Sequence, residues 1–90
     1  MSIDIALPTI HLNGTSAQAL FDANLDAIQA VEAAIDAVQR AAPNGRDYYV
    51  QGPDAFPRAQ REHQERQRLL NRIVLELTQI AEHAHHHIPD

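Results

Sequence analysis

Two long stretches of the chain repeat apolar side chains every three or four residues. From Ser16 to about Ala41, the stripe is Ala17, Phe21, Leu25, Ile28, Val31, Ile35 and Val38, and Asp22, Asp26, Gln29 and Asp36 fall away from it. That period predicts an amphipathic helix. A second stripe runs from Asp54 to about His87 through Phe56, Ala59, His63, Arg66, Leu70, Ile73, Leu77, Ile80 and Ala84. Its first half is polar where its second half is aliphatic. Arg58–Glu62 and Glu62–Arg66 are spaced four apart, as ion pairs supporting an exposed helix face would be.

Local signals set the boundaries. Thr15 is the expected N-cap of the first helix, with Gln18 three residues on completing a capping box. Pro43 disfavours helix at Ala42, and Asn44-Gly45 is expected to supply the left-handed residue that ends a helix. Asp54 is a good N-cap for the second helix, Pro57 then falls in its first turn where a missing N–H costs nothing, and Pro89 stops it. The helices are therefore drawn at 15–42 and 54–87, joined by a loop at 43–53. Residues 1–14 read as an extended arm, because Ile3, Ile5 and Leu7 alternate with polar or small residues and a lone strand has no partner. The arm is expected to dock on a helix of this or another subunit. Asn24, inside the first stripe, has two open readings: a residue that fixes register, or a half-exposed spacer.

The expected fold is all-α: one domain over residues 1–90, an antiparallel hairpin of helices roughly 40 and 50 Å long at 1.5 Å per residue. Two helices bury little, and there is no cysteine to staple them. Alanine at positions 19, 23, 27, 30, 33, 34, 37, 41 and 42 lets other helices approach closely. A homo-oligomer, at least a dimer, is the expected state, with a four-helix bundle the simplest closed form.

Composition narrows the function classes. The formal net charge of −5 argues against DNA binding, which rests on neutralising phosphates. The apolar runs are too short to span a membrane and the N-terminus lacks a signal-peptide pattern, so the expected location is the cytoplasm. Residues 1–39 hold five acids and no base, residues 40–72 hold all seven arginines against four acids, and residues 73–90 hold three acids and no base. Lysine is absent. Arginine suits planar recognition of phosphate or carboxylate; a GC-rich genome produces the same bias.

The candidate chemistry gathers at two poles. Arg46, Asp47, Tyr48, Tyr49, Gln51, His63 and Arg66 are expected at the turn, and His11, Asn13, Thr15 and the late histidines at the other end. In an antiparallel dimer, one subunit's turn pole meets the other's terminal pole. Tyrosine faces, arginines and amide or hydroxyl groups then suit a nucleotide-like ligand. Each element also has a structural account: tyrosines capping the bundle end, Arg46-Asp47 as a surface ion pair, His63 and Arg66 solvated on a splayed helix. His83 and His87, four apart, are a possible metal pair, set against a frayed histidine-rich end; no standard site is completed around them, so no metal or cofactor is expected. No nucleophile, phosphate-loop or zinc-protease motif occurs, and an enzyme is not expected.

These motifs carry a resemblance. Ile10-His11-Leu12-Asn13-Gly14-Thr15-Ser16, Ala42-Pro43-Asn44-Gly45-Arg46-Asp47-Tyr48-Tyr49 with Gln51-Gly52, and Glu62-His63 with Arg66 resemble a family of small bacteriophage and prophage proteins over about Ile10 to Ala81. That family supplies no activity to carry over. It implies a phage-type protein in a bacterial host. In build, the inferred hairpin is also similar to phage sponge proteins that sequester nucleotide-derived immune signals. The expected function is therefore non-catalytic capture of such a signal at an oligomer interface; the alternative is an adaptor hairpin that binds another phage or host protein.

Overall fold

The computed structural model describes residues 3–89; Met1 and Ser2 of the expected arm, and Asp90, lie outside the described residues. Two helices, α1 (Ala17–Arg40) and α2 (Ala55–His86), pack against each other. Phe21 lies beside Ala81 and His85, while Gln39 lies beside Gln60 and Gln67, so the helices run antiparallel. The hairpin measures 61 × 23 × 20 Å. No strand occurs among the described residues.

The start of α1 differs by one residue from the sequence expectation. Ser16, not Thr15, is the cap: its Oγ accepts the Ala19 N–H at 3.1 Å. With Ala17 as the first helical residue, Gln18 is one place too early to close a capping box. Its amide instead donates to Asp22 Oδ1 at 2.9 Å. Asn24 is half-buried, and its Nδ2 donates to the Leu20 carbonyl at 2.8 Å, so its amide is used within its own helix.

The loop folds into two 3₁₀ turns, Gly45–Asp47 and Tyr49–Gln51. Asn44 is extended, with φ −113°, and its Oδ1 accepts the Arg46 N–H at 3.0 Å. Asn44-Gly45 therefore does not provide a left-handed residue. Gly52 does, at φ 111° and ψ 173°, in a region essentially restricted to glycine. The chain needs glycine where it enters α2 rather than where it leaves α1. Asp54 precedes α2, but its side chain makes no capping bond.

The arm docks on its own subunit. The Ile3 N–H donates to Gln79 Oε1 at 2.7 Å, and Gln79 Nε2 donates back to the Ile3 carbonyl at 2.6 Å. His83 Nε2–H donates to the Pro8 carbonyl at 2.7 Å. The arm then turns at Gly14, whose N–H donates to the His11 carbonyl at 3.1 Å. A Cβ on Gly14 would stand 2.9 Å from the His11 ring, so a side chain there displaces the imidazole.

The interface between the helices is thin. Among the described residues Ile3, Ala17, Ala59, Ala81, Ala84 and His63 are buried, and no large side chain is fully buried. Two positions of the expected stripes sit well out of the seam, Leu25 at 38% and Ile73 at 43% exposed, and Arg66 is exposed. The outer surface of α2 carries Arg58–Glu62 at 3.1 Å, Arg68–Glu65 at 2.6 Å and Arg72–Glu76 at 2.9 Å. Glu62–Arg66 does not pair, because Glu62 faces Arg58. Hydrogen bonds from Arg68 hold the Glu65 carboxyl below its ordinary range and raise the Arg68 guanidinium.

Two substitutions test this frame by urea unfolding. Gln79→Ala removes both bonds to Ile3 and is expected to cost about 1–3 kcal/mol. Gly52→Ala forces a side chain onto a glycine-only backbone and is expected to cost about 1–3 kcal/mol.

Candidate functional site

At the turn end, the end of α1, the loop and the start of α2 border a cleft of about 300 Å³. Its apolar lining is Ala41, Pro43, Ala55 and Ala59; its polar lining is Tyr48, Gln51, Arg58, Glu62, His63 and Arg66. The alanines make room for it, since larger side chains at those positions would fill the space. Tyr48 is placed by packing: its ring stacks on Phe56 at 6.3 Å with planes 29° apart. Phe56 is in turn held close to Gly45, where a Cβ would meet its ring at 3.5 Å.

Of the residues expected at the turn pole, Tyr48, Gln51, His63 and Arg66 come together around this cleft. Tyr49 does not join them. It is 72% exposed and borders a separate apolar depression with Pro53, Phe56 and Pro57. Arg46 and Asp47 are exposed in the first 3₁₀ turn and line neither depression. They form no ion pair among the described residues. His11, Asn13 and Thr15 are exposed at the opposite end of the hairpin, so within one subunit they do not reach the cleft.

His63 is the unusual member. It is 8% exposed, and neither ring nitrogen has a hydrogen-bond partner among the described residues. Among the described residues no polar side-chain atom is sealed from solvent without a partner, so the His63 nitrogens stay open to solvent. The ring also borders a second depression of about 310 Å³ on the opposite flank, where Gln39, Gln60, Gln64 and Gln67 supply amides. The imidazole thus stands as a partition between an arginine- and tyrosine-lined cleft and an amide-lined one. Arg66 turns outward and has no acidic partner among the described residues.

Two lining residues, Arg58 and Glu62, are absent from the sequence-derived site. Their spacing of four reads as surface support for a helix, and they do form that pair. The signal that would have found them is that Arg58, Glu62 and Arg66 recur every fourth residue and so share the flank next to His63.

The cleft offers a free guanidinium, a phenol, a carboxamide and an imidazole. Arginine binds phosphate or carboxylate through two parallel N–H bonds, and a neutral imidazole offers one donor and one acceptor. At the far end, His83 Nε2 is committed to Pro8, and His87 Nδ1–H donates to the His83 carbonyl at 2.9 Å. No group of three or more metal-ligating side chains occurs among the described residues, and no described helix is long and apolar enough to cross a membrane.

Comparison with protein-family models, with curated proteins and with solved structures finds no match to this chain.

Proposed function

We propose that this is a non-catalytic binding protein whose turn-end cleft takes a phosphate-bearing, nucleotide-like small molecule, and that its hairpins associate as a dimer or higher oligomer. In the setting that the phage-family resemblance implies, the ligand is a nucleotide-derived immune signal and the activity is sequestration in the bacterial cytoplasm.

The observation that carries this reading is His63. The imidazole is more than nine-tenths buried and makes no protein hydrogen bond among the described residues, yet its polar atoms are not sealed from solvent, so the ring is held rigidly with its nitrogens open to a partner. A ligand that bonds those nitrogens takes the place of water on a ring already fixed in position. Arg66 beside it supplies a fork for a phosphate, Tyr48 a face for a base, and Gln51 an amide for base edges. At about 300 Å³, the cleft is at the small end for ligand pockets. It holds part of a nucleotide and leaves the rest to lie outside it or beneath a second subunit. The non-catalytic part of the reading draws on the acid–base geometry: Glu62 is engaged by Arg58 and His63 bonds to no carboxylate among the described residues. The oligomeric part draws on the lack of any fully buried large side chain. The adaptor reading draws on the same exposed apolar surface. It is favoured by a stoichiometric protein partner whose binding survives Tyr48→Ala and Arg66→Ala.

Thermal-shift screening against cyclic di- and trinucleotides and cyclic ADP-ribose isomers tests the ligand. A true ligand at 100 times its Kd adds about 2.7 kcal/mol of stability. Arg66→Ala is expected to weaken binding at least tenfold, which is about 1.4 kcal/mol, while Tyr49→Ala leaves it unchanged. A silent panel, or a hit indifferent to Arg66→Ala, removes the cleft from consideration.

His63→Leu separates a binding role from a packing role. Replacing an unpaired polar ring by an apolar side chain is expected to leave the free protein as stable or stabilise it by about 1 kcal/mol. Ligand binding should be lost. A large loss of stability, measured by urea unfolding, would show that the imidazole is there for packing.

A further inference from the structure

The two flanks of the hairpin are chemically unlike. With about 100° between successive residues of a helix, the charged residues of α1 (Asp22, Asp26, Glu32, Asp36 and Arg40) point outward or toward the flank of the glutamine-lined depression. The flank that holds the His63–Arg66 cleft receives no charge from α1. Beyond the cleft, it carries Leu20, Val31 and Val38 from α1 and Leu69, Ile73 and Ile80 from α2. Leu69 is 48% and Ile73 43% exposed, and the other four are half-buried.

Area says how much cover this surface needs. The subunit exposes 6674 Å², whereas a compact chain of 10.0 kDa is expected to expose roughly 5,200 Å². The excess exceeds the roughly 800 Å² that each partner buries in a standard stable interface. A second copy supplies a matching surface, because a two-fold interface uses the same patch twice.

Charge sets the direction. The turn half of the hairpin, residues 33–70, holds six arginines and five acids, while the remainder holds one arginine and seven acids. Parallel stacking would put the acidic ends together; antiparallel stacking sets each acidic end against a basic one.

We propose that a second copy of this chain covers the flank of Leu69 and Ile73 in antiparallel orientation, so that the terminal end of each subunit closes over the turn-end cleft of the other. This deepens the oligomeric part of the proposed function and rests on it. The terminal end carries the exposed His11, Asn13 and Thr15, which one subunit holds too far from its own cleft to use. The cleft is then completed only in the pair, with polar groups above the ring of His63 and the guanidinium of Arg66.

Three measurements on the full chain test it. Sedimentation equilibrium is expected to show a dimer or a larger even assembly at micromolar concentration. Leu69→Glu combined with Ile73→Glu should raise the dimer Kd at least about a hundredfold, since charges at the centre of an apolar interface are poorly tolerated. Leu75→Glu, at a residue equally exposed but not on this flank, should leave the assembly intact. Helical circular dichroism of the double variant reports whether the hairpin itself survives. For direction, the chain has no native cysteine, so Val50→Cys carries a single spin label per subunit at the turn. Antiparallel pairing separates the two labels by more than half the 61 Å long axis; parallel pairing brings them together. A monomer at micromolar concentration overturns this inference and the oligomeric reading together. A dimer that survives the double substitution, that dissociates with Leu75→Glu instead, or that shows a short label distance overturns this inference alone. Ligand binding by the unmodified protein is scored separately, by thermal shift.

Discussion

Alanine sets the distance between the two helices. Ala17, Ala59, Ala81 and Ala84 are buried in or beside the seam, and side chains this small let helix backbones approach closely. Phe21, Ile28, Val31, Leu70 and Leu77 lie on the facing stripes and remain half-buried, because two helices cover a large side chain from one side only. Among the described residues no large side chain is fully buried, so the hairpin has no three-dimensional core and its apolar stripes stay partly open. A short chain without disulfides has few other means of covering such stripes than association. His63 is conspicuous, because it is the one ring among the buried side chains of the described residues.

Much of this was legible in the sequence, and the failures have local causes. The two helices and their antiparallel pairing follow from the 3.6-residue period and the short proline- and glycine-rich connection between them. The arm follows from its alternation, though only the structure shows that Gln79 and His83 hold it to its own subunit. Thr15 and Ser16 are both good caps, and composition cannot choose between neighbours; the choice turns on which hydroxyl faces the Ala19 N–H. Asn44-Gly45 misled because asparagine before glycine serves two purposes. Here its side chain starts a 3₁₀ turn and the left-handed conformation passes to Gly52.

The candidate site was legible as a pole and not as a cavity. Tyr48 and Tyr49 are equivalent in sequence, yet one packs on Phe56 and the other is exposed, because consecutive residues in tight turns point in different directions. Arg46 and Asp47 face outward for the same reason. His63 and Arg66 both occupy stripe positions, but the stripe is broader than a narrow alanine seam can cover. His63 falls at its centre and Arg66 at its edge. That small rotation decides which residue is buried and which can swing into the cleft.

The ends of the hairpin differ because the chain covers only one of them. The arm crosses the terminal half of α2, and its backbone is tied down by the Gln79 amide and the His83 ring. Gln79 and His83 are thereby engaged within the same chain. At the turn end, the loop is wound into two compact 3₁₀ turns and has no chain left over to lie across the first turns of α2. The free guanidinium of Arg66 and the unpaired nitrogens of His63 stay uncommitted as a result. A ring with two unpaired nitrogens gains more from a partner than one already bonded to Pro8, as His83 is. The end without cover is the one with binding free energy still to gain.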